Sequence, residues 1–505
     1  MSGTDAVADL PAEESGTAHK RQLLQALAAD LREVIGLEVT SPMAKMLVAM
    51  ADDILTLTTD DAIARAPIDA GYISERRRTL TELISVGRSL QSIEERTIAQ
   101  AEAALEQTVA APARASTMTT LDSALETLFA AVSAAIQEEQ FARLKSLQAR
   151  MIEATGRHAQ QLSDLRAANA NRIAASRLES RAPVTVEALQ DYWRRRYPDR
   201  PKAVVTSLRE LSGGFSKTTM LFIVENWEQQ PASLVLRRDL CGGATDKSVV
   251  DEYHVIETAF ARGIVAPEPV LLERDPQALA RPFMVTRRVE GTPAGDLWKT
   301  SPESTVETAL DLARTLGRLH GMRPQDFGEV ADADPHSHVT VYLRELEQSW
   351  LKRRPGPEPC MLASLDWLKR NLPVPRRLSF VHGDPGAWNL LTKGGRLAGL
   401  LDWELWHFGD AMEDVSYVKG FVESLMPWND FLAAYREAGG VEYEPEAGTY
   451  YDIFRDVRNA IFSVFAGNAF RTHRNPEMRM AHCEEKSYPM LLLRGANLIA
   501  AKCRR

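Results

Sequence analysis

The sequence predicts an α+β protein: an all-α helical bundle region, then a small β-rich lobe, then a larger helical lobe. Three observations predict it. Residues from about 18 to 182 place apolar side chains at helical spacing, with Pro and Gly scarce inside the patterns. Between about 203 and 290, short runs rich in β-branched and apolar residues alternate with turn chemistry around one helical stretch. After Gly291 the helical patterns return, broken by strand-like segments at "RLSFVHGD" and "RLAGLLDWE".

In the first region, Leu23, Leu27, Leu31 and Val34 form one stripe. Ser41-Pro42 is an N-cap and first-turn pair for a second helix carrying Leu47, Met50 and Ile54. A third pattern runs through Leu80, Leu83, Leu90 and Ile93. A long fourth runs from Leu121, Leu125, Leu128, Val132 and Ile136 on to Phe141, Leu144, Leu147 and Met151. An antiparallel bundle is favoured over an extended coiled coil. Pro183, Pro198 and Pro201 then punctuate a short helix, and "AVVTSLREL", "TTMLFIVEN" and "ASLVLRRD" read as strands. "DKSVVDEYHVIETAFARG" is a helix closed by Gly263, and "EPVLLERD" and "PFMVTRRVEG" are two more strands. The boundaries this gives are a disordered tail over 1–17, a helical bundle over 18–182, the β-rich lobe over 183–290 and the helical lobe over 291–505.

Composition narrows the function. A chain of 505 residues is too long for one ordinary core, and its 45% hydrophobic and 26% charged content is that of a soluble globular protein. A net charge of -9 argues against nucleic-acid binding. The start, "MSGTDAVADLPAEESG", is acidic and polar, the opposite of a secretory or transit signal, and the apolar runs fall short of a membrane span. Four cysteines at 241, 360, 483 and 503 show neither CxxC spacing nor disulfide-scaffold density, so a reducing cytoplasm is expected.

Three groups of residues carry candidate chemistry. "LSGGFSKTT" brackets a strand-to-strand turn in which Gly213 and Gly214 permit positive φ and bring backbone N–H groups close to a ligand, with Ser212, Ser216 and Thr218 as hydroxyl donors. It does not match the GxxxxGK[ST] phosphate loop. Some twenty residues on, Arg237 or Arg238 stands on a strand and Glu252 on the next helix, an arrangement that grips nucleotide phosphates in kinases. Third, "SFVHGDPGAWNLL" and "LAGLLDWELWHFGD" place Asp384, Asn389 and Asp402 in a strand–loop–strand sequence that converges on one point. Phosphoryl transfer needs one carboxylate to orient a hydroxyl and oxygen ligands for Mg²⁺, and these three residues offer both. A His/Asp metallohydrolase site from His382, Asp384, Asp402 and His407 would leave Asn389 and the upstream lobe unexplained.

The elements "LSGGFSKTT", "VLRR", "VEGTP", "LGRLHGM", "HGDPGAWN" and "LDWE", in that order, resemble the aminoglycoside phosphotransferase/choline kinase-like family, of protein-kinase-like fold, over about residues 185 to 500. The resemblance implies Asp384 as catalytic base, Asn389 and Asp402 as Mg²⁺ ligands, and Arg237 at the phosphate-gripping position with Glu252 as its partner. It implies that Ser212, Gly213, Gly214, Ser216 and Lys217 lie around the ATP phosphates, with backbone at Thr286, Arg287 and Arg288 against adenine. Where many members carry Lys, this chain has Arg237, which grips two oxygens where ammonium is a point charge. His382, His320 and His407 are read as braces, and Asp410 and Asp414 as ties on the loop.

The acceptor is a small-molecule hydroxyl. The passage from "VLRR" to "RRVEGTP" is similar to the phosphotransferase domains found with acyl-CoA dehydrogenases, which implies a hydroxyacyl-CoA. Arg455, Arg458, Arg471 and Arg474 favour an anionic acceptor, while the acidic "VEYEPEAGTYYD" suits an aminoglycoside or other antibiotic. A non-catalytic nucleotide-binding scaffold is the alternative of another class. The helical region could serve as a fused helper, a docking module or the seat of a homodimer.

Overall fold

The computed structural model describes residues 62–90, 92–109, 115–136, 141–170, 184–211, 216–239, 247–296, 299–327, 334–375, 377–471 and 478–503. The stripes at Leu23–Val34 and Leu47–Ile54, and the tail over 1–17, lie outside them. The chain divides into two compact units. Residues 62–170 belong to the first, together with 356–360 and 478–493, and the remaining described residues belong to the second.

The first unit is helical: α1 (Ala62–Arg88), α2 (Glu95–Val109), α3 (Ala115–Ala135) and α4 (Phe141–Ala170). The long sequence pattern comes as two helices, α3 ending at Ala135 and α4 starting at Phe141. Leu80, Leu83, Leu121, Leu125, Leu128, Leu144, Leu147 and Met151 are all buried, as their helical spacing requires for one shared core. Arg76 is buried among them and is held by Asp122 at 2.9 Å and by the Met151 carbonyl at 3.1 Å.

The second unit opens with α5 (Val186–Arg196), capped by Thr185. A five-stranded antiparallel sheet follows: β1 (Val204–Leu211), β2 (Lys217–Glu225), β3 (Ala232–Asp239), β4 (Pro269–Glu273) and β5 (Phe283–Arg287), in the order β1-β2-β3-β5-β4. One face packs on α5 through Trp193, which lies against Tyr197, Phe222 and Trp227. The helix α6 (Val249–Ala261) enters between β3 and β4 and ends before Gly263, whose φ of +73° closes it.

The helical lobe holds α7 (Val306–Gly321), α8 (Pro335–Arg353), α9 (Pro359–Arg370), α10 (Met412–Glu423), α11 (Trp428–Glu437) and α12 (Pro445–Arg471). Two small sheets sit among them. One is β6 (Thr292–Pro293), β8 (Leu390–Lys393) and β9 (Arg396–Leu400); the other pairs β7 (Ser379–Val381) with β10 (His407–Gly409). The sequence reading takes Asp402 to return on a strand neighbouring that of Asp384. The structure instead interposes β8, which is only four residues long and follows Asn389 directly, and it is β8 that pairs with β9.

Candidate functional site

On the sheet side, β3 carries two arginines whose side chains part, because consecutive strand residues face opposite ways. Arg238 is buried and donates to the Leu279 carbonyl at 3.0 Å. Arg237 faces the other way, donating to Asp402 Oδ1 at 2.7 Å and standing 3.3 Å from Glu252. The end of β3 also positions Glu252: Asp239 accepts from Ser248 Oγ at 2.6 Å and from Val249 N at 2.9 Å, and so fixes the start of α6. Burial raises the Glu252 carboxyl against the pull of Arg237.

Lys217 is the first residue of β2, and its side chain is almost wholly buried. It donates to the Lys247 carbonyl at 2.6 Å and stands 3.6 Å from Asp239 and 3.4 Å from Glu404. Ser216 is buried beside it, whereas Ser212, Gly213 and Gly214 lie outside the described residues. Thr286 and Arg287 end β5. Arg287 N donates to the Glu268 carbonyl at 2.8 Å and Arg288 N to the Ser233 carbonyl at 3.0 Å.

On the helical side, the loop after β7 is held at several points. Asp414 on α10 accepts from His382 N at 2.7 Å and Gly383 N at 2.8 Å, while His320 contacts the same carboxylate at 3.1 Å. His382 spends Nε2 on the Leu401 carbonyl at 3.1 Å, and its Nδ1 accepts from Asp384 N at 3.2 Å. Burial lowers its pKa, so the ring stays neutral. Gly383 has φ of +86°, and a Cβ there would lie 2.6 Å from the Leu405 carbonyl oxygen, so glycine is required. Asp410 accepts from Met412 N at 2.9 Å at the start of α10.

Asp384 and Asn389 are brought together. Asn389 Nδ2 donates to Asp384 Oδ2 at 2.8 Å and to the Asp384 carbonyl at 2.9 Å. Asn389 O in turn accepts from Leu401 N at 2.8 Å, which brings the residue before Asp402 against the loop. Burial pushes the Asp384 carboxyl up to about 7, although a hydrogen bond from Tyr417 opposes the shift. Asp402 is the opposite case. Burial works to raise it, yet Arg237 and then Lys217 hold it below its ordinary value. Its backbone is left-handed, φ 63° and ψ 69°, a conformation that a non-glycine residue keeps only where the surroundings enforce it.

Between these two sides lies a cleft of about 460 Å³. Leu221, Val235, Met284 and Leu391 line its apolar walls, with Arg237, Glu252 and Asp402 at its polar end. Asn389 and Asp402 offer oxygen donors, the chemistry of a hard cation such as Mg²⁺, which commonly takes one or two protein ligands and completes its shell from phosphates and water. Among the described residues no group of three or more His, Cys, Asp or Glu forms an all-protein metal cage. The His/Asp metal arrangement has no free ring nitrogens to use, since His407 contacts the Leu405 carbonyl and Glu413, each at 3.0 Å.

One further expectation changes. Arg458 is not presented to an acceptor: it is wholly buried, paired with Glu413, and donates to the Gly383 carbonyl at 2.6 Å. Arg455 stays half-buried, 3.0 Å from Asp452, with its guanidinium over the Tyr417 ring. The side chains of Arg471 and Arg474 lie outside the described residues. Tyr417, whose hydroxyl donates to Asp384 Oδ1, escapes sequence reasoning. The available signal is its place three residues after Asp414, on the same face of α10. No helix among the described residues is long and apolar enough to cross a membrane.

Acyl-CoA dehydrogenase family member 11 of Gallus gallus is 27% identical over 235 residues, 45% of this chain and 29% of its own length. The protein of the same name from Rattus norvegicus is 26% identical over 44% of this chain and 28% of its own length. The chain therefore spans less than a third of each of these relatives. Among solved structures, a macrolide 2'-phosphotransferase from Brachybacterium faecium is 15% identical, with a TM-score of 0.41 over 59% of this chain and 97% of that one. The family described as "Phosphotransferase enzyme family" matches residues 207–450, a span that runs from β1 to the start of α12 and includes every element of the cleft. Through those residues, just under half of its length, the chain is similar to the phosphotransferase enzyme family.

Proposed function

We propose that this protein is a phosphotransferase that moves the γ-phosphate of Mg-ATP to an alcohol hydroxyl, with hydroxyacyl-CoA as the acceptor class. The observation that carries this reading is the Arg237–Asp402 pair at the polar end of an apolar cleft, with the Asp384–Asn389 pair tied to the residue before Asp402 through the bond from Leu401 N to Asn389 O. Adenine packs between Leu221, Val235 and Met284, with backbone at Thr286–Arg288 along its edge. Ser212, Gly213, Gly214 and Ser216 are assigned to the phosphates. Arg237, steadied by Glu252, grips them once it gives up part of its contact with Asp402. Lys217, the first residue of β2, stands 3.4 Å from Glu404, next to Asp402. Asn389 and Asp402 would hold Mg²⁺, which would supply charge neutralisation on the transferring group. The acceptor oxygen attacks the γ-phosphorus, the bond to the bridging oxygen breaks, ADP leaves, and Asp384 takes the hydroxyl proton.

The acceptor class rests on the name of the two relatives, acyl-CoA dehydrogenase family member 11, and on the chemistry of the product: phosphorylation makes a hydroxyl a good leaving group for later elimination. The test is ADP release with Mg-ATP against hydroxyacyl-CoAs, aminoglycosides, macrolides, choline and sugars. Turnover confined to hydroxyacyl-CoAs is expected. Turnover confined to an antibiotic would overturn the acceptor class, and binding of an ATP analogue without any turnover would favour a nucleotide-binding scaffold.

Asp402→Asn is expected to weaken activity most at limiting Mg²⁺, with partial recovery as the metal is raised. A Mg²⁺ titration of initial rates checks this. Equal fractional loss at every metal concentration would count against Asp402 as a ligand.

A further inference from the structure

Asp384 engages both of its carboxylate oxygens within the protein: Asn389 donates to Oδ2 at 2.8 Å and the Tyr417 hydroxyl donates to Oδ1. The loop does not need the second bond for its anchorage. Asp414 already holds the N–H groups of His382 and Gly383, Arg458 holds the Gly383 carbonyl, and His382 bridges Leu401 to Asp384 N. The polar contact of Tyr417 with the loop falls on the carboxylate itself. A phenol O–H donating to Oδ1 makes the same bond that an acceptor alcohol makes with its base before transfer.

We propose that Tyr417 is a positioning residue that acts as an acceptor stand-in: its hydroxyl holds the acceptor's place on Asp384 until an alcohol displaces it, and so keeps water from becoming the phosphoryl acceptor. This rests on the kinase reading above. The surroundings suit a side chain that must yield. Tyr417 is half-buried, one helical turn beyond Asp414, on a helix that fixes its backbone independently of the bond to Asp384. Arg455 lies over the ring, 5.0 Å from its centroid, and is itself tied to Asp452 at 3.0 Å and Asp456 at 3.5 Å. Trp388 meets the ring edge-on at 6.1 Å and is 36% exposed, so the seat opens on that side. Burial, and then the charge of Asp384, raise the phenol pKa well above its ordinary value, so the group remains a donor and does not compete as a base.

The reaction held back is hydrolysis. A water oxygen would attack the γ-phosphorus, the bond to the bridging oxygen would break, ADP and inorganic phosphate would leave, and one water proton would pass to Asp384. The experiment measures ADP and phosphate release from Mg-ATP with no acceptor present, for the wild-type chain, Tyr417→Phe, and Tyr417→Phe combined with Asp384→Asn. Tyr417→Phe is expected to raise hydrolysis about tenfold, the worth of one hydrogen bond to a charged group. The double variant should fall back to the wild-type rate or below it. With an acceptor, the KM of Tyr417→Phe should drop while kcat changes little, because no hydroxyl has to be displaced. A structural role would instead lower kcat and leave hydrolysis unmoved. Thermal melting and affinity for a non-hydrolysable ATP analogue establish that each variant is folded. Should Tyr417→Phe fail to fold, Arg455→Gln removes the group over the ring and is expected to raise hydrolysis by a smaller factor. Hydrolysis that stays flat in folded variants, in a chain that does phosphorylate an acceptor, overturns the stand-in alone. A wild-type chain that binds no nucleotide and turns over no acceptor overturns the kinase reading beneath it.

Discussion

Asp384→Asn is expected to lose about 10²–10⁴-fold in turnover while keeping its affinity for an ATP analogue. The substitution preserves shape and removes the charge that accepts the hydroxyl proton. Nothing on the nucleotide side of the cleft depends on that charge, since Arg237 is held by Asp402 and Glu252. The pH profile gives a second check. With the carboxyl pushed up to about 7, the base form is lost as pH falls through that value, so kcat/KM should decline on the acid side from near neutrality rather than near pH 4. Full activity of the variant on an identified acceptor would refute the assignment.

The residues legible in advance were those whose spacing is short and whose chemistry is narrow. His382, Gly383, Asp384 and Asn389 lie within eight positions, and Asp402 follows one hairpin later, so local chain geometry brings them together whatever surrounds them. The five strands of the sheet were legible for a related reason: each alternates or runs apolar between clear turn residues. β8 was not, because four residues ending in Thr and Lys carry too little pattern to separate from the loop before them. Tyr417 and Arg458 were hidden for another reason. Both meet the loop across long sequence separations, from α10 and α12, and α12 is apolar around much of its circumference. Arg455 and Arg458 stand three apart on that helix, yet one is half-buried and the other wholly buried. Helical spacing places both near one face and leaves undetermined which of them the packing encloses. The inclusion of residues 356–360 and 478–493 in the helical unit is likewise a tertiary fact that composition along the chain does not record.

Arg458→Met is expected to be the most damaging substitution for stability, by about 3–5 kcal/mol, read as a fall in the melting temperature. The guanidinium is wholly buried, and so is its partner Glu413, whose other oxygen meets His407 at 3.0 Å. Methionine fills much of the volume between Phe454 and Phe462, but it leaves the carboxylate enclosed without its cation and the Gly383 carbonyl without its donor. The two losses can be separated. Arg458→Met with Glu413→Gln removes the stranded charge and should recover a large part of the stability. It should not restore activity, because Gly383 still lacks its donor and the adjacent Asp384 is then less firmly placed. A single variant that melts like the wild type would show that the pair contributes little. A double variant that regained turnover along with stability would show that Arg458 acts only through Glu413, and that Asp414 and His382 suffice to hold the loop.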